Sequence, residues 1–503
     1  MIRQNIIANA IGRSCGVVLI YLFIPLYLKL LGIEGYGLVG FYSILLGVLH
    51  FVDLGLTATL SREMARLSIR ENGGGKMGDL LRTYESVYFC ICLAVMLIVW
   101  ILAPFIAQRW LRAGTLPPSE IAVVIRVMGI AIAFQLLSQL YTGGLTGLEK
   151  QVLTNSLQMA WGVFRGLGTV LILWLFSPTT LAFACWQLVS NIFYCFALRL
   201  SLWRALPDAE SRPRFDRRVL RDTWRYAAGI AGMAVVSAAL TQADKLAISK
   251  MLPLDVFGYY TLAGSLAQAP AILAAPISVA LFPRLTALVS LNDPDTLTQL
   301  YHSACRLVSV AVLPATITLA LYAEDFLFAW TGSHVVSQKG GPVASLLLYG
   351  SSIQAVLTMP SCLALAHGYT RLNLKLGVVS VVLITPLLIL LVMKYGIVGG
   401  GASWLIMNIF TLPPYMYFLH RRFLPYELRK WYLRDVGRPL LAALACVLLS
   451  RWFLPSLDSR SLTFGIIGVV WGVSAAAAAF TVPDLRRELA VRAGRLLGVC
   501  YEI

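Results

Sequence analysis

Leu31 to Gly47 reads LGIEGYGLVGFYSILLG, and Leu252 to Gln268 reads LPLDVFGYYTLAGSLAQ. Laid one on the other at an offset of 221 residues, Glu34 meets Asp255, Gly37 meets Gly258 and Ser43 meets Gly264. The same shift lays LTGLEK (Leu145 to Lys150) on AHGYTR (Ala366 to Arg371), so that Gly147 meets Gly368 and Lys150 meets Arg371. One such pairing arises by chance among glycines; two at one offset point to duplication. Most of what is duplicated is apolar helix, so each copy reads as a membrane lobe. Two such lobes in one chain are the plan of a transporter.

Composition agrees. Of 503 residues 58% are hydrophobic and only 13% charged, with a mean hydropathy of +0.77; a soluble protein carries about 25% charged residues. Apolar stretches long enough to cross ~30 Å of hydrocarbon as a helix recur throughout. The expected fold is an all-α integral membrane protein of about fourteen spans, near 7–31, 36–60, 84–107, 120–145, 152–175, 180–200, 225–249, 257–283, 299–323, 342–366, 374–394, 400–420, 436–455 and 463–481. No cleavable targeting segment is expected, because Asn5, Asn9, Arg13 and Gly16 interrupt the first span. The nine cysteines lie almost all in apolar runs and read as packing residues, with no disulfide framework.

The polar stretches orient the chain. Loops 62–82, 199–225 and 421–438 and the tail are crowded with arginine and lysine, and alternating spans put all of them on one side. By the positive-inside rule that side, with both termini, is cytoplasmic, and the protein sits in the inner (plasma) membrane. Topology and contact with anionic lipids account for most of the net charge of +17, so nucleic acid is not an expected partner. Pro207 and Pro213 mark 203–222 as a linker between lobes 1–202 and 223–420. Six spans separate the repeats, so the copies share one orientation about an axis along the membrane normal. Spans 13 and 14 (436–481) fall outside the repeat, and 482–503 reads as a cytoplasmic amphipathic tail.

Charges inside spans are the informative exceptions, since each costs about 2.5–3.5 kcal/mol at a helix centre. Asn5, Asn9 and Arg13 share a face of the first span; Thr154, Gln158, Trp161 and Arg165 mark the fifth; Arg126 lies in the fourth and Arg306 in the ninth. A polar stripe on an apolar helix faces a neighbour or water, not lipid. Snorkelling to a headgroup is the competing reading for Arg13, Arg126 and Arg306, which lie nearer span ends; Arg165 lies nearer mid-span. A cavity lined by Arg13, Arg126, Arg165 and Arg306, with Asn9 and Gln158, prefers an anionic substrate, because guanidinium forks fit phosphate oxygens. Asp53 with Arg62, and Asp244 with Lys245, are candidates either for ion coupling or for structural ion pairs. Gly73-Gly74-Gly75-Lys76 lacks the strand a nucleotide cradle needs. No catalytic triad, metal-ligand set or cofactor motif is apparent, and no enzymatic activity is expected.

Pro25 to Arg66, and in it Pro25, Leu31-Gly32, Glu34, Tyr36-Gly37, Asp53-Leu54-Gly55 and Arg62, resembles the opening of polysaccharide-transport flippases in the multidrug/oligosaccharidyl-lipid/polysaccharide exporter superfamily. The resemblance continues at Gly147-Leu148-Glu149-Lys150 with Asn155, at Gln242-x-Asp244-Lys245, at Gly258-Tyr259-Tyr260, and at Pro283-Arg284, where span 8 is expected to end. It implies flipping of an undecaprenyl-pyrophosphate-linked oligosaccharide from the cytoplasmic to the periplasmic leaflet by alternating access, for O-antigen, capsule or exopolysaccharide assembly. It also implies a polysaccharide polymerase and glycosyltransferases as neighbours in the pathway. A lipid II flippase or an ion-coupled small-molecule exporter of the same superfamily is an alternative within this class. A membrane polymerase or glycosyltransferase is one outside it, although the expected external loops, 108–119 and 324–341, are short for catalytic domains.

Overall fold

The computed structural model describes residues 2–53, 55–69, 73–207, 213–218, 221, 241–453 and 459–483, with the side chains of 2–20, 49–51, 73 and 74 excepted. Among these residues the chain is helical, with no β-strand; a lone bridge joins Arg112 to Pro253. In chain order the helices are α1 (Ile2–Leu49), α2 (Leu56–Ser68), α3 (Gly73–Phe105, then a wider turn to Trp110), α4 (Pro118–Gly147), α5 (Gln151–Leu175) and α6 (Thr180–Ala205). Next come α7 (241–251), α8 (Leu254–Leu266), α9 (Ala269–Ser290), α10 (Pro294–Leu321), α11 (Ala323–Thr331), α12 (His334–Val356) and α13 (Thr358–Ala366). Last are α14 (Thr370–Phe423), α15 (Leu428–Lys430), α16 (Arg438–Phe453) and α17 (Arg460–Phe480), with a π-helical stretch (Trp431–Gly437) joining α15 to α16.

Eleven described segments are long and apolar enough to cross a membrane. The longest, α14, is two spans divided at Gly396 (φ 58°), and α1 is divided in the same way at Gly32 (φ 71°). Both glycines combine a positive φ with an extended ψ, a region essentially reserved for glycine that costs other residues about 1–3 kcal/mol. The seventh expected span, 225–249, lies mostly outside the described residues, and so does the tail from residue 484. Large side chains stand bare along the helices: Ile101, Trp174, Met393 and Phe410 are each more than 70% exposed. Such a surface belongs in hydrocarbon, and the chain is a multi-pass membrane protein.

Several boundaries differ from the expected ones. The second span ends at Leu49, and the stretch expected to continue it to residue 60 instead begins a separate helix, α2. Gly55 (φ 72°) breaks the chain there, and the Asp53 carboxylate accepts from the Thr57 amide (3.3 Å) and the Thr57 hydroxyl (2.6 Å), so it caps the new helix. Residues 73–76, expected as loop, form the first turn of α3. The expected 324–341 loop is instead α11, a turn at Gly332 and the start of α12. Helix α9 runs through Pro283 to Ser290 rather than ending at Arg284.

The chain divides into two compact units, Met1–Gly258 and Tyr259–Ile503. Helix α7 goes with the first because Trp110 Nε1 donates to Ser249 (3.1 Å) and the Leu254 amide to the Arg112 carbonyl (2.8 Å). In that unit α4 is central, packed on α2, α3 and α6, while α1 lies along α5. The repeat is visible here as one contact made twice. A side chain at Gly37 would overlap the Leu254 carbonyl, and one at Gly258 would overlap the Ile33 carbonyl. Ile33 and Leu254, like Gly37 and Gly258, are 221 positions apart. The second quoted pair shifts: after α4 the left-handed residue is Glu149, and after α13 it is Gly368. The turns therefore match at an offset of 219, and Gly147 is not the structural counterpart of Gly368. In the second unit α10 is central, packed on α9 and α12 and on the non-repeated pair α16 and α17.

Candidate functional site

Arg165 stands ten residues before the end of α5 at Leu175, about 15 Å along the helix axis and so near the middle of the span. Small residues let the neighbours close around it. A side chain at Gly166 would overlap the Phe23 ring of α1, and one at Gly168 would overlap the Trp186 indole of α6. Trp186 Nε1 donates to the Arg165 carbonyl (3.2 Å), which also accepts from Thr169 Oγ1 (2.7 Å). With the backbone held, the guanidinium lies over the Trp161 ring, 4.3 Å from its centroid, and that indole stacks on Tyr194 at 4.5 Å. The phenols of Tyr27, Tyr42 and Tyr194 lie within electrostatic reach of the charge. No described carboxylate pairs with it.

Around Arg165 runs a polar seam. Asn191, fully buried in α6, donates from Nδ2 to the Ala131 carbonyl (3.0 Å) and lies 3.4 Å from Tyr42 Oη, close to Gln135. Gln187 Nε2 donates to Thr169 Oγ1 (3.2 Å). Two buried polar atoms of the seam, Trp161 Nε1 and Asn191 Oδ1, have no hydrogen-bond partner among the described residues, as expected where water or a polar ligand belongs. A guanidinium over an indole is held by the ring face while its N–H groups can still donate to oxygen acceptors. The seam offers a cation and polar groups, and among the described residues no nucleophile paired with a base.

The other sequence candidates are dispersed. Gln158 is exposed on α5, two turns before Arg165. Arg126 lies beside the half-exposed Trp100 of α3 (5.4 Å), nine positions before Gln135 and therefore about 180° round α4 from the seam. Arg306 is in the second unit, 3.5 Å from the buried Asp435. The Asn9 and Arg13 side chains lie outside the described residues. Asp53 also accepts from the Tyr88 hydroxyl, Arg62 is exposed on α2, and Asp244 and Lys245 are half-buried on α7. No group of three or more metal-ligating side chains occurs among the described residues.

Two buried ionic clusters escaped the sequence reading. Glu85, 7% exposed at the start of the third span, accepts from Tyr141 Oη (2.9 Å), Arg199 Nε (3.0 Å), Trp203 Nε1 (3.0 Å) and Arg82 Nη1 (3.3 Å). The other surrounds His302 and Asp435. The only sequence signal was an acid or a histidine at the edge of an apolar run. At the opposite end of the first unit from Glu85, a pocket of about 590 Å³ has Glu34, Glu120 and Asp255 in its wall. Glu34 is tied there by the amides of Gly114 (2.6 Å) and Thr115 (3.1 Å). Its acidic wall disfavours an anionic ligand.

Known proteins share both sequence and fold with this chain. A Shigella flexneri protein named as an O-antigen transporter is 22% identical over 407 residues, 80% of this chain and 94% of its own length. The amylovoran biosynthesis protein AmsL of Erwinia amylovora is 22% identical over 300 residues, 56% of this chain and 72% of its own. Among solved structures, the lipid II flippase MurJ in an inward closed conformation matches with a TM-score of 0.70 at 15% identity, covering 94% of this chain and 98% of that one. An inward-facing multidrug resistance MATE transporter of the MOP superfamily matches with a TM-score of 0.66 at 15% identity, covering 84% and 99%. The two structural likenesses show that the chain has the fold of these transporters. The sequence model described as polysaccharide biosynthesis protein matches residues 2–289, more than half of the chain, and the chain therefore belongs to that family.

Proposed function

We propose that the protein flips an undecaprenyl-pyrophosphate-linked oligosaccharide from the cytoplasmic to the outer leaflet of the inner membrane, supplying O-antigen, capsule or exopolysaccharide assembly. The observation that carries this reading is Arg165: a mid-span guanidinium with no carboxylate partner among the described residues, seated on Trp161 and bordered by tyrosines, asparagine and glutamine. Pyrophosphate needs such a cation, and a glycan needs such polar and aromatic walls. The named transport role of the Shigella flexneri relative supports it. Lobes 1–202 and 223–420, joined by the linker 203–222, would rock in alternating access, with 436–481 as added spans and both termini cytoplasmic. No nucleotide is hydrolysed; an ion gradient or consumption of the lipid outside drives export, and Asp53 and Asp244 are the candidate coupling acids. Deleting the gene and locating the lipid-linked repeat unit tests the assignment. A flippase predicts its accumulation in the inner leaflet. Accumulation in the outer leaflet would indicate a polymerase, and absence of the glycolipid a glycosyltransferase.

A further inference from the structure

His302 of α10 is held between two carboxylates of the segment that follows α14. Its Nδ1 meets Asp435 Oδ2, and its Nε2 meets Glu427 Oε2 at 3.1 Å. Neutral imidazole has one N–H and one lone pair, so it can donate to only one of two carboxylates. Both contacts are hydrogen bonds only if the cluster holds one proton more than neutral imidazole and two carboxylates supply. Each carboxylate already faces another cation, Asp435 the Arg306 Nη1 (3.5 Å) and Glu427 the Lys430 Nζ (2.7 Å). The extra proton therefore belongs on the imidazole.

The remaining groups around the ring agree. On its own helix Tyr301 and Cys305 are buried. From α14, Tyr415 is buried nearby, and His420 donates from Nδ1 to the Met416 carbonyl (3.0 Å), which leaves its Nε2 as acceptor for Tyr301 Oη (3.4 Å). Glu427 lies outside the spans. Burial works to raise its pKa, but its bonds and charge interactions with Lys430 and His302 outweigh this and hold it below the usual carboxylate value.

We propose that His302, Asp435 and Glu427 form a proton-binding site that clasps the connection between α14 and α16 onto α10. Asp435 is 1% and His302 8% exposed, so the site is built into the fold rather than lying on its surface. Helices α16 and α17 lie outside the repeat and pack on α10, and the clasp ties the segment leading to them to the same helix. On losing the proton His302 keeps one bond and presents a lone pair to the other carboxylate. Glu427, with Lys430 to turn to, is the one released. Proton occupancy thereby sets how firmly residues 424–437 are held.

Two measurements on the purified full-length protein in nanodiscs test this without substrate. In ring-¹⁵N-histidine-labelled protein, the signal lost in His302→Gln is expected to be that of an imidazolium at pH 6 and of neutral imidazole at high pH. A neutral ring at pH 6 would overturn the site, and this readout comes from the unaltered protein. By hydrogen-exchange mass spectrometry, with intrinsic rates corrected for pH, protection of 424–437 is expected to fall about tenfold or more across that titration, and to lose this dependence in His302→Gln and Glu427→Gln. Protection that is independent of pH in the wild type, or equally dependent in His302→Gln, would overturn it.

Discussion

A guanidinium at the centre of a span costs about 2.5–3.5 kcal/mol on insertion scales, and among the described residues α5 offsets part of that at Arg165 with an indole and polar neighbours rather than a carboxylate. An acid beside it would make a more stable helix and a poorer anion site. Arg165→Ala is expected to cut surface polysaccharide at least tenfold while the protein reaches the membrane at normal levels. Arg165→Lys should retain part, since the charge survives and the fork does not; lectin staining beside an immunoblot reads both. Glu85 is the contrasting case, a buried charge fully engaged with protein donors. Glu85→Ala leaves Tyr141 and Trp203 without an acceptor and should lower stability by about 1–3 kcal/mol in a detergent melt. Arg165 was legible in the sequence because a charge at mid-span is a local signal. Glu85 and His302 were not, because their partners Arg199 and Asp435 lie 114 and 133 residues away and an ion pair leaves no periodicity. The arginine set expected to line one cavity was only partly informative for a related reason. Spacing along a helix shows that Arg126 needs a neighbour, but its phase against Gln135 acquires meaning only once α6 is placed beside α4.

Along the helices, apolar length revealed the spans and glycines decided where they break. Gly32 and Gly396 divide helices that hydropathy alone would continue, while Gly55 with Asp53 starts a helix where apolar residues suggested a continuing span. Close approach is the other use of glycine. At Gly37 the obstacle is the Leu254 backbone, which cannot rotate away. Gly37→Ala should therefore cost about 1–3 kcal/mol, and Gly258→Ala a similar amount. Gly472→Ala on α17, where nothing lies within 4 Å of the added carbon, should be neutral or gain up to about 1 kcal/mol. Fluorescence-detected size-exclusion melts of the three variants rank them. Equal melting temperatures would remove the paired contact as a structural constraint. The quoted repeat was thus readable where close packing demands the same glycine twice. It slipped by two residues at the turn after α4, where only the left-handed conformation is kept and Glu149 supplies it without glycine.

For the molecule as a whole, charge asymmetry is the strongest statement in the sequence, since Arg and Lys crowd loops that alternate with bare apolar helix. Reporter fusions should place residues 62–82, 203–222 and 421–435 in the cytoplasm, and external exposure of 203–222 would reverse the orientation and the direction of transport with it. Chain order and hydropathy were enough to read an all-helical, multi-pass transporter fold, because hydropathy is a property of long stretches. The polar seam around Arg165 depends on a few side chains brought together from α1, α4, α5 and α6, and these no linear pattern assembles. The most direct measurement is movement of a purified undecaprenyl-pyrophosphate-linked oligosaccharide across proteoliposomes, read as the fraction newly exposed to an external glycosidase. The wild type is expected to move it well above protein-free vesicles and Arg165→Ala to fall to their level. No movement by the wild type, or wild-type movement by Arg165→Ala, would contradict the assignment of Arg165 as the pyrophosphate-binding cation of a lipid-linked glycan flippase.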